Sequence, residues 1–299
     1  LSCALIWAAA VVLFRKSGES LGPFALNLFK NTLAALLLGL TVLLLSPAVP
    51  AMPLQSWLLI LASGWLGIGL ADTWYLRVLN RIGASRMAVA QTLYSPFVIA
   101  LSALYLGERL HGRQWLGAAL VLGGIALVTW VRDAARSDTD SRQLRIGTAL
   151  GAASVLLMAI GVVIAKPMLA AHDFLWVVWL RLIGGLLGMA AIIGWQRNGR
   201  ALIAEFRAVR HWPQVIAGSV AGTYLSMLLW MAGYKYSSAS VSAVLNETAA
   251  VFIVLFAVLF LRERIGRRQI AGMALAMSGV LLMRSEEHTS ELQSLACIS

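Results

Sequence analysis

Gly107-Glu-Arg-Leu-His-Gly-Arg-Gln-Trp-Leu-Gly117 decides the fold, because the chain repeats it as Arg262-Glu-Arg-Ile-Gly-Arg-Arg-Gln-Ile-Ala-Gly272. The two copies are separated by a constant offset, 262 − 107 = 155 residues. The same offset continues upstream, where Ala84-Ser85 corresponds to Ala239-Ser240. Self-similarity at one fixed period indicates that the chain consists of two related halves.

Long apolar runs separate the charged segments along the whole chain. Of the 299 residues, 60% are hydrophobic and 12% are charged, whereas soluble domains are about a quarter charged. Each run approaches the ~20 residues that a helix needs to cross a bilayer, and its continuous apolar character excludes the alternation of a membrane barrel. We therefore predict ten transmembrane helices, at residues 1–14, 24–45, 56–77, 86–106, 112–131, 146–165, 174–195, 213–235, 239–261 and 267–283.

The odd number of helices in each half determines how the halves are related. A second copy that follows five membrane crossings enters the bilayer in the opposite orientation. The predicted fold class is therefore an all-α integral membrane protein built from two inverted five-helix repeats. We place the repeats at 1–131 and 146–283, joined by a polar linker at 132–145. Such repeats underlie many secondary transporters, whose substrate sites lie near the bilayer midplane between the repeats.

The repeated motifs resemble those of the EamA family in the drug/metabolite transporter superfamily. The resemblance rests on Leu106-Gly-Glu-Arg-Leu110 and Leu261-Arg-Glu-Arg-Ile265, on Lys16 and Lys166 at the end of each half's first helix, and on Gly69-Leu-Ala-Asp-Thr-Trp-Tyr75. It covers essentially residues 1–283 and implies a pseudo-symmetric bundle with a central cavity. It also implies export or exchange of small metabolites, amino-acid-like or drug-like, and names no single substrate.

Basic residues indicate how the chain lies in its membrane. The net charge of +11 is spread over short connections, a pattern that favours cytoplasmic loops over a nucleic-acid surface. Arg and Lys are concentrated in the odd-numbered connections, which predicts that both termini lie outside the cytoplasm. The family resemblance implies cytoplasmic termini instead, so the orientation stays open. We expect a multi-pass protein in the lipid bilayer of a bacterial inner or plasma membrane.

The two ends of the sequence have unusual features. Leu1 lies inside an apolar run, so we expect that part of the first helix is missing. Residues 284–299 begin with Arg284-Ser-Glu-Glu-His-Thr-Ser-Glu-Leu-Gln-Ser294 and resemble a translated sequencing-library adapter. We expect this tail to be non-native and assign it no function.

Four ionisable residues lie well inside the predicted spans, where each charge costs about 2.5–3.5 kcal/mol at a helix centre. Lys30 and Asp72 lie towards the odd-numbered connections, and Arg181 and Glu247 lie towards the even-numbered ones. We predict that they line the transport cavity, where the acids can bind a proton or a cationic group and the bases a carboxylate. The alternative is that Lys30–Asp72 and Arg181–Glu247 form permanent ion pairs, or that the bases extend to the interface.

Polar residues beside these charges are further candidates for the cavity wall. Gln91 and Asn246 occupy equivalent positions, 246 − 91 = 155, on the fourth and ninth helices, which line the cavity in the proteins that this chain resembles. Tyr94, Ser95 and Pro96 follow on the fourth helix. Pro96 removes a backbone hydrogen bond in mid-span, which creates either a ligand or hinge or a simple packing kink.

Other repeated features have structural interpretations. Gly184-xxx-Gly188 is one of several small-residue motifs that allow close helix approach. Glu108-Arg109 and Glu263-Arg264 lie at helix ends, where capping or orientation explains them better than catalysis.

An intramembrane enzyme and a non-transporting receptor or assembly factor are the competing classes. The chain contains no HExxH or paired-aspartate motif, and its two cysteines form no metal motif, so we expect no catalytic or metal site. It also lacks a P-loop, and we expect neither ATP coupling nor a cofactor. The sequence favours a secondary transporter with a small-molecule substrate and with the proton as a candidate coupling ion. Its oligomeric state stays open.

Overall fold

A computed structural model describes residues 2–17, 21–82, 91, 93–110, 112–129, 141–196, 199–209, 211–249, 251–252, 255–256, 267 and 270–282. These residues form helices and connections, with no strand among them. The helices are α1 (Ser2–Ser17), α2 (Pro23–Leu45), α3 (Leu54–Gly64), the π-helix π1 (Trp65–Leu70), α4 (Ala71–Ile82), α5 (Tyr94–Tyr105), α6 (Gly112–Thr129), α7 (Ser141–Ala171), α8 (Phe174–Gln196), α9 (Gly199–Arg207), α10 (Trp212–Ser219), the π-helix π2 (Val220–Leu225), α11 (Ser226–Tyr236), α12 (Ala239–Glu247) and α13 (Ile270–Leu282).

The described helices confirm an all-helical membrane protein. Five of them are long and apolar enough to cross a bilayer, at Phe24–Leu45, Leu54–Tyr75, Ala149–Ala171, Phe174–Gln196 and Trp212–Tyr236. Two shorter apolar helices are α5 and α13. The predicted fourth and ninth spans lie partly outside the described residues, so the count of ten stays a prediction.

Contacts between the connections define two ends of the bundle. At one end Gly22 N donates to Glu205 Oε2 at 3.0 Å, which joins the start of α2 to α9. At the opposite end Trp176 Nε1 donates to Ser46 O at 2.9 Å, which joins the end of α2 to α8. We call these ends the Gly22 face and the Ser46 face. They correspond to the odd-numbered and even-numbered connections of the sequence.

The two π-helices are a backbone feature that the repeats share. Trp65 and Val220 begin them, and 65 + 155 = 220, so both occupy the same position in the repeat. A π-helix inserts one residue into the α-helical ladder and often marks a functional site. The sequence periodicity gave no indication of either one.

Glycines allow the stretch around π1 to pack directly on α8. A Cβ added at Gly64 would lie 1.9 Å from Arg181 O, and one added at Gly184 would lie 2.2 Å from Leu61 O. The close approach predicted for Gly184 is therefore confirmed. The backbones touch at this contact, which fixes the register of the two helices.

The two ends of helix α7 differ from the prediction. Helix α7 begins at Ser141, within the stretch predicted as linker, and it continues to Ala171. Lys166 therefore lies before the end of its helix rather than closing it. Pro96 lies in the first turn of α5, and Gln91 just before that helix is also helical. The start of the predicted fourth span lies outside the described residues, so the ligand, hinge or packing kink at Pro96 stays a prediction.

Candidate functional site

The carboxylate of Glu247 meets the other repeat in the middle of the bundle. Glu247 is the last residue of α12, and its Oε1 accepts a hydrogen bond from Ser95 Oγ on α5 at 3.2 Å. Ser95 is fully buried and Glu247 is half-buried. Within the described part of the chain, Ser95 is the hydrogen-bond donor to a group that can accept about four such bonds. The carboxylate therefore keeps capacity for a proton, a cation or a ligand donor.

Two tyrosines form a second contact between the repeats. The hydroxyls of Tyr94 on α5 and Tyr234 on α11 lie 2.8 Å apart, and both side chains are almost completely buried. The ring of Trp230 meets Tyr234 edge-on, with the centroids 5.6 Å apart. Both phenols lie within electrostatic reach of Glu247 and of Arg181. Tyr94 was predicted as a candidate, whereas the pairing with Tyr234 was not.

Asn246 contacts the first helix. Its Oδ1 lies 3.8 Å from Cys3 Sγ, which also lies 3.3 Å from Ser226 O. We name Cys3, Tyr94, Ser95, Tyr234, Asn246 and Glu247 the central polar cluster. Its members come from α1, α5, α11 and α12, so both halves of the chain contribute. Gln91 is half-buried three residues before α5 and is not part of these contacts.

Lys30 and Asp72 form the ion pair that the sequence offered as an alternative. Lys30 Nζ on α2 lies 4.0 Å from Asp72 Oδ2 on α4, and the side chains are 17% and 20% exposed. Tyr75 is within electrostatic reach of both Asp72 and Glu247. The buried Asn27 and Asn31, which sequence reasoning missed, lie next to Lys30 along α2. Both side chains of the pair are therefore largely buried but keep some exposed surface.

Arg181 does not form the pair with Glu247 that the sequence offered as an alternative. Its Nη1 donates to Gly161 O at 2.6 Å and to Ser63 Oγ at 3.2 Å, and the side chain is 1% exposed. Its Nε has no hydrogen-bond partner among the described residues. This alternative is wrong for Arg181, because depth along the bilayer normal does not determine which way a side chain points around its helix. Among the described residues, the partners of this cation are neutral groups, whereas Lys30 lies beside a carboxylate.

A polar stripe on one helix face was also missed by the sequence reasoning. Thr223 Oγ1, Ser226 Oγ and Trp230 Nε1 are buried polar atoms without a partner in the described structure. Their positions, three and then four residues apart, place them on one face of the continuous helix formed by π2 and α11. Tyr234 follows four residues later on the same face. Unpartnered buried polar atoms are unfavourable, and a ligand or water along this stripe would satisfy them.

The groups at this site can bind polar ligands. Within the described ranges, no three His, Cys, Asp or Glu side chains are grouped so that they could hold a metal ion. The groups that meet at the repeat interface are a carboxylate, two phenols, an amide and a hydroxyl. They can hold a polar ligand or a proton in the interior of a membrane protein.

The fold and the site define a multi-pass helical membrane protein of the transporter class. The EamA-like transporter family matches residues 1–130 and 145–285. The chain belongs to this family, and the resemblance drawn from its repeated motifs is confirmed.

Two further comparisons agree with this assignment. The chain is 25% identical over 285 residues, 95% of each chain, to an uncharacterized transporter of Archaeoglobus fulgidus. It also resembles a crystal structure described only as that of a protein, with a TM-score of 0.76, 18% sequence identity, and coverage of 94% of this chain and 93% of the other. That likeness concerns the fold alone.

Proposed function

We propose that the chain is a secondary transporter that exports or exchanges small metabolites, amino-acid-like or drug-like, by alternating access between its two repeats. The observation that carries this proposal is the hydrogen bond from Ser95 to Glu247. It places a carboxylate with spare acceptor capacity at the contact between the two halves of a membrane bundle. Inverted-repeat transporters bind their substrates at such a contact, near the midplane.

The distribution of charge supports a polar substrate. Glu247 can bind a proton or the cationic group of a substrate, and the buried Arg181 can bind a carboxylate when the bundle rearranges. The two tyrosines lie within electrostatic reach of both charges. A molecule with one cationic and one anionic group would neutralise both, and protonation of Glu247 would couple its passage to the proton gradient.

The test is transport by the purified protein reconstituted in vesicles that contain a pH-sensitive dye. We expect a substrate-dependent pH change for the wild type with at least one compound from a panel of amino acids, nucleosides, sugars and cationic drugs. Glu247→Gln removes the charge with little change in shape and should abolish this signal. Asp173→Asn is the matched control, because Asp173 is an exposed carboxylate that caps α8 through Trp176 N. Normal transport by Glu247→Gln would overturn the proposed role of the carboxylate.

A non-transporting receptor or assembly factor is the alternative function, and an intramembrane enzyme is less favoured. Neither requires a polar cluster shared between the two repeats. A receptor would bind a ligand in detergent without moving it across a vesicle membrane, so the same reconstitution separates the two classes.

A further inference from the structure

Glu108 belongs to the repeated motif, and its carboxylate binds the start of a helix in the other repeat. Glu108 Oε1 accepts a hydrogen bond from Ala239 N at 2.8 Å, and Oε2 accepts from Ser240 N and Ser240 Oγ, each at 3.1 Å. Ala239 and Ser240 are the first two residues of α12. The next amide along the helix, Val241 N, donates to Ser238 Oγ at 3.2 Å. An anion at a helix N-terminus is stabilised by unpaired N–H groups and by the helix dipole.

Lys166 binds the other side of the same turn. Its Nζ donates to Tyr234 O and to Ser237 O, at the carboxyl end of α11. The turn between α11 and α12 therefore has a cation at the end of one helix and an anion at the start of the next, in the arrangement that the two helix dipoles favour.

The two contacts differ in which repeat supplies the charge. Lys166, α11 and α12 all lie in the range 145–285 that matches the family as the second repeat, whereas Glu108 lies in the range 1–130 of the first. The contact of Lys166 stays within one repeat. The contact of Glu108 joins the two repeats at the Ser46 face, above the central polar cluster.

We propose that Glu108 is a gating residue, whose contact with the start of α12 closes the Ser46 face and must break when that face opens. The inference rests on the proposed alternating access. Lys166 shapes the turn and stays bound through the cycle. The sequence repeats the same residue types, because Glu263 corresponds to Glu108 and Ala84-Ser85 to Ala239-Ser240. Those counterparts lie outside the described residues.

Cys3 provides a reporter beneath this contact. Its Sγ lies beside Asn246, seven residues into α12 from Ala239 and thus about 10 Å below the start of that helix. The experiment uses the full chain with Cys297→Ser, in vesicles of known orientation, and a membrane-impermeant maleimide added from one face at a time. Labelling of Cys3 needs no substrate, so it tests the gate independently of transport.

Glu108→Gln weakens three hydrogen bonds to a charged acceptor. We expect labelling of Cys3 from the Ser46 face to rise about tenfold, the change that corresponds to one such bond, and labelling from the Gly22 face to fall. A change of opposite sign at the two faces is what a gate produces, whereas a merely loosened bundle reacts faster from both.

A second variant changes the helix α12 side of the contact instead of Glu108. Ala239→Pro removes one of the two amide donors while keeping the helix, because proline is favoured in the first helical turn and Ser238 already has an extended backbone, φ −61° and ψ 149°. We expect a smaller shift in the same direction. Arg109→Gln, which alters an exposed neighbouring charge, should leave the ratio between the faces unchanged.

The outcomes separate the gate from the proposed function. Wild-type labelling ratios in both Glu108→Gln and Ala239→Pro would overturn the gating role of Glu108, even if the wild type transports. An equal rise at both faces would also overturn it. If the ratio shifts as expected but the wild type moves no compound of the panel, the gate stands and the proposed transport function fails.

Discussion

Lys30 and Arg181 are matched by the sequence repeat with an offset of 181 − 30 = 151 residues, yet the structure surrounds them differently. Lys30 in the first repeat has a carboxylate 4.0 Å away, whereas Arg181 in the second is bound by a hydroxyl and a backbone carbonyl. The segments around the two π-helices also differ in their surroundings. A glycine contact packs the first against α8, and the second carries unpartnered polar atoms. The two repeats therefore share a helical arrangement but differ in the contacts that equivalent positions make.

We expect the largest difference in stability between alanine variants at equivalent positions just before the two π-helices. Gly64 corresponds to Ser219, since 64 + 155 = 219, and a Cβ at Gly64 would overlap Arg181 O. We expect Gly64→Ala to destabilise the protein by about 3 kcal/mol, as overpacking against rigid backbone does. Ser219→Ala should cost about 1 kcal/mol or less, because it removes only a hydroxyl bonded to Val215 O. Thermal unfolding in detergent measures both, and equal losses would contradict the asymmetry.

Removing the two basic side chains should have opposite consequences for stability. Lys30→Met leaves Asp72 as an uncompensated charge and should cost about 2 kcal/mol, which Lys30→Met with Asp72→Asn should largely restore. Arg181→Met should be neutral or stabilising, because it removes a buried charge that no described carboxylate compensates. Ser63 Oγ keeps a hydrogen bond after this change, because it donates to Ile60 O. Unfolding midpoints in one detergent compare the three variants, and a large loss for Arg181→Met would make that residue a structural anchor.

The tyrosine contact joins the repeats without having a symmetric copy. The equivalents of Tyr94 and Tyr234 are Ala249 and Leu79. Tyr94→Phe and Tyr234→Phe should each cost about 1 kcal/mol, because each leaves one buried hydroxyl unpaired, and the double variant should cost less than their sum. A double-mutant cycle on unfolding midpoints gives the coupling. Strict additivity would show that the hydroxyls do not stabilise each other.

The sequence predicted what depends on composition and on position along a helix. Long apolar runs set the helical membrane class, the repeated motif identified the family, and the depths of Lys30 and Asp72 agreed with a contact between them. The partner of Arg181 could not be predicted, because a span fixes how deep a side chain lies but not its direction around the helix. The same limit hid the pairing of Tyr94 with Tyr234 and the stripe at Thr223, Ser226 and Trp230. The π-helices were hidden because one inserted residue leaves an apolar run unchanged.

The most direct test of the central polar cluster is ligand-dependent thermal stability of the purified protein. A ligand that binds the folded state stabilises it by about 2.7 kcal/mol at one hundred times its Kd, so a screen of amino acids, nucleosides, sugars and cationic drugs should raise the unfolding temperature of the wild type with at least one compound. We expect Glu247→Gln to lose this shift and Asp173→Asn to keep it. An equal shift in wild type and Glu247→Gln would place the ligand elsewhere and contradict the account.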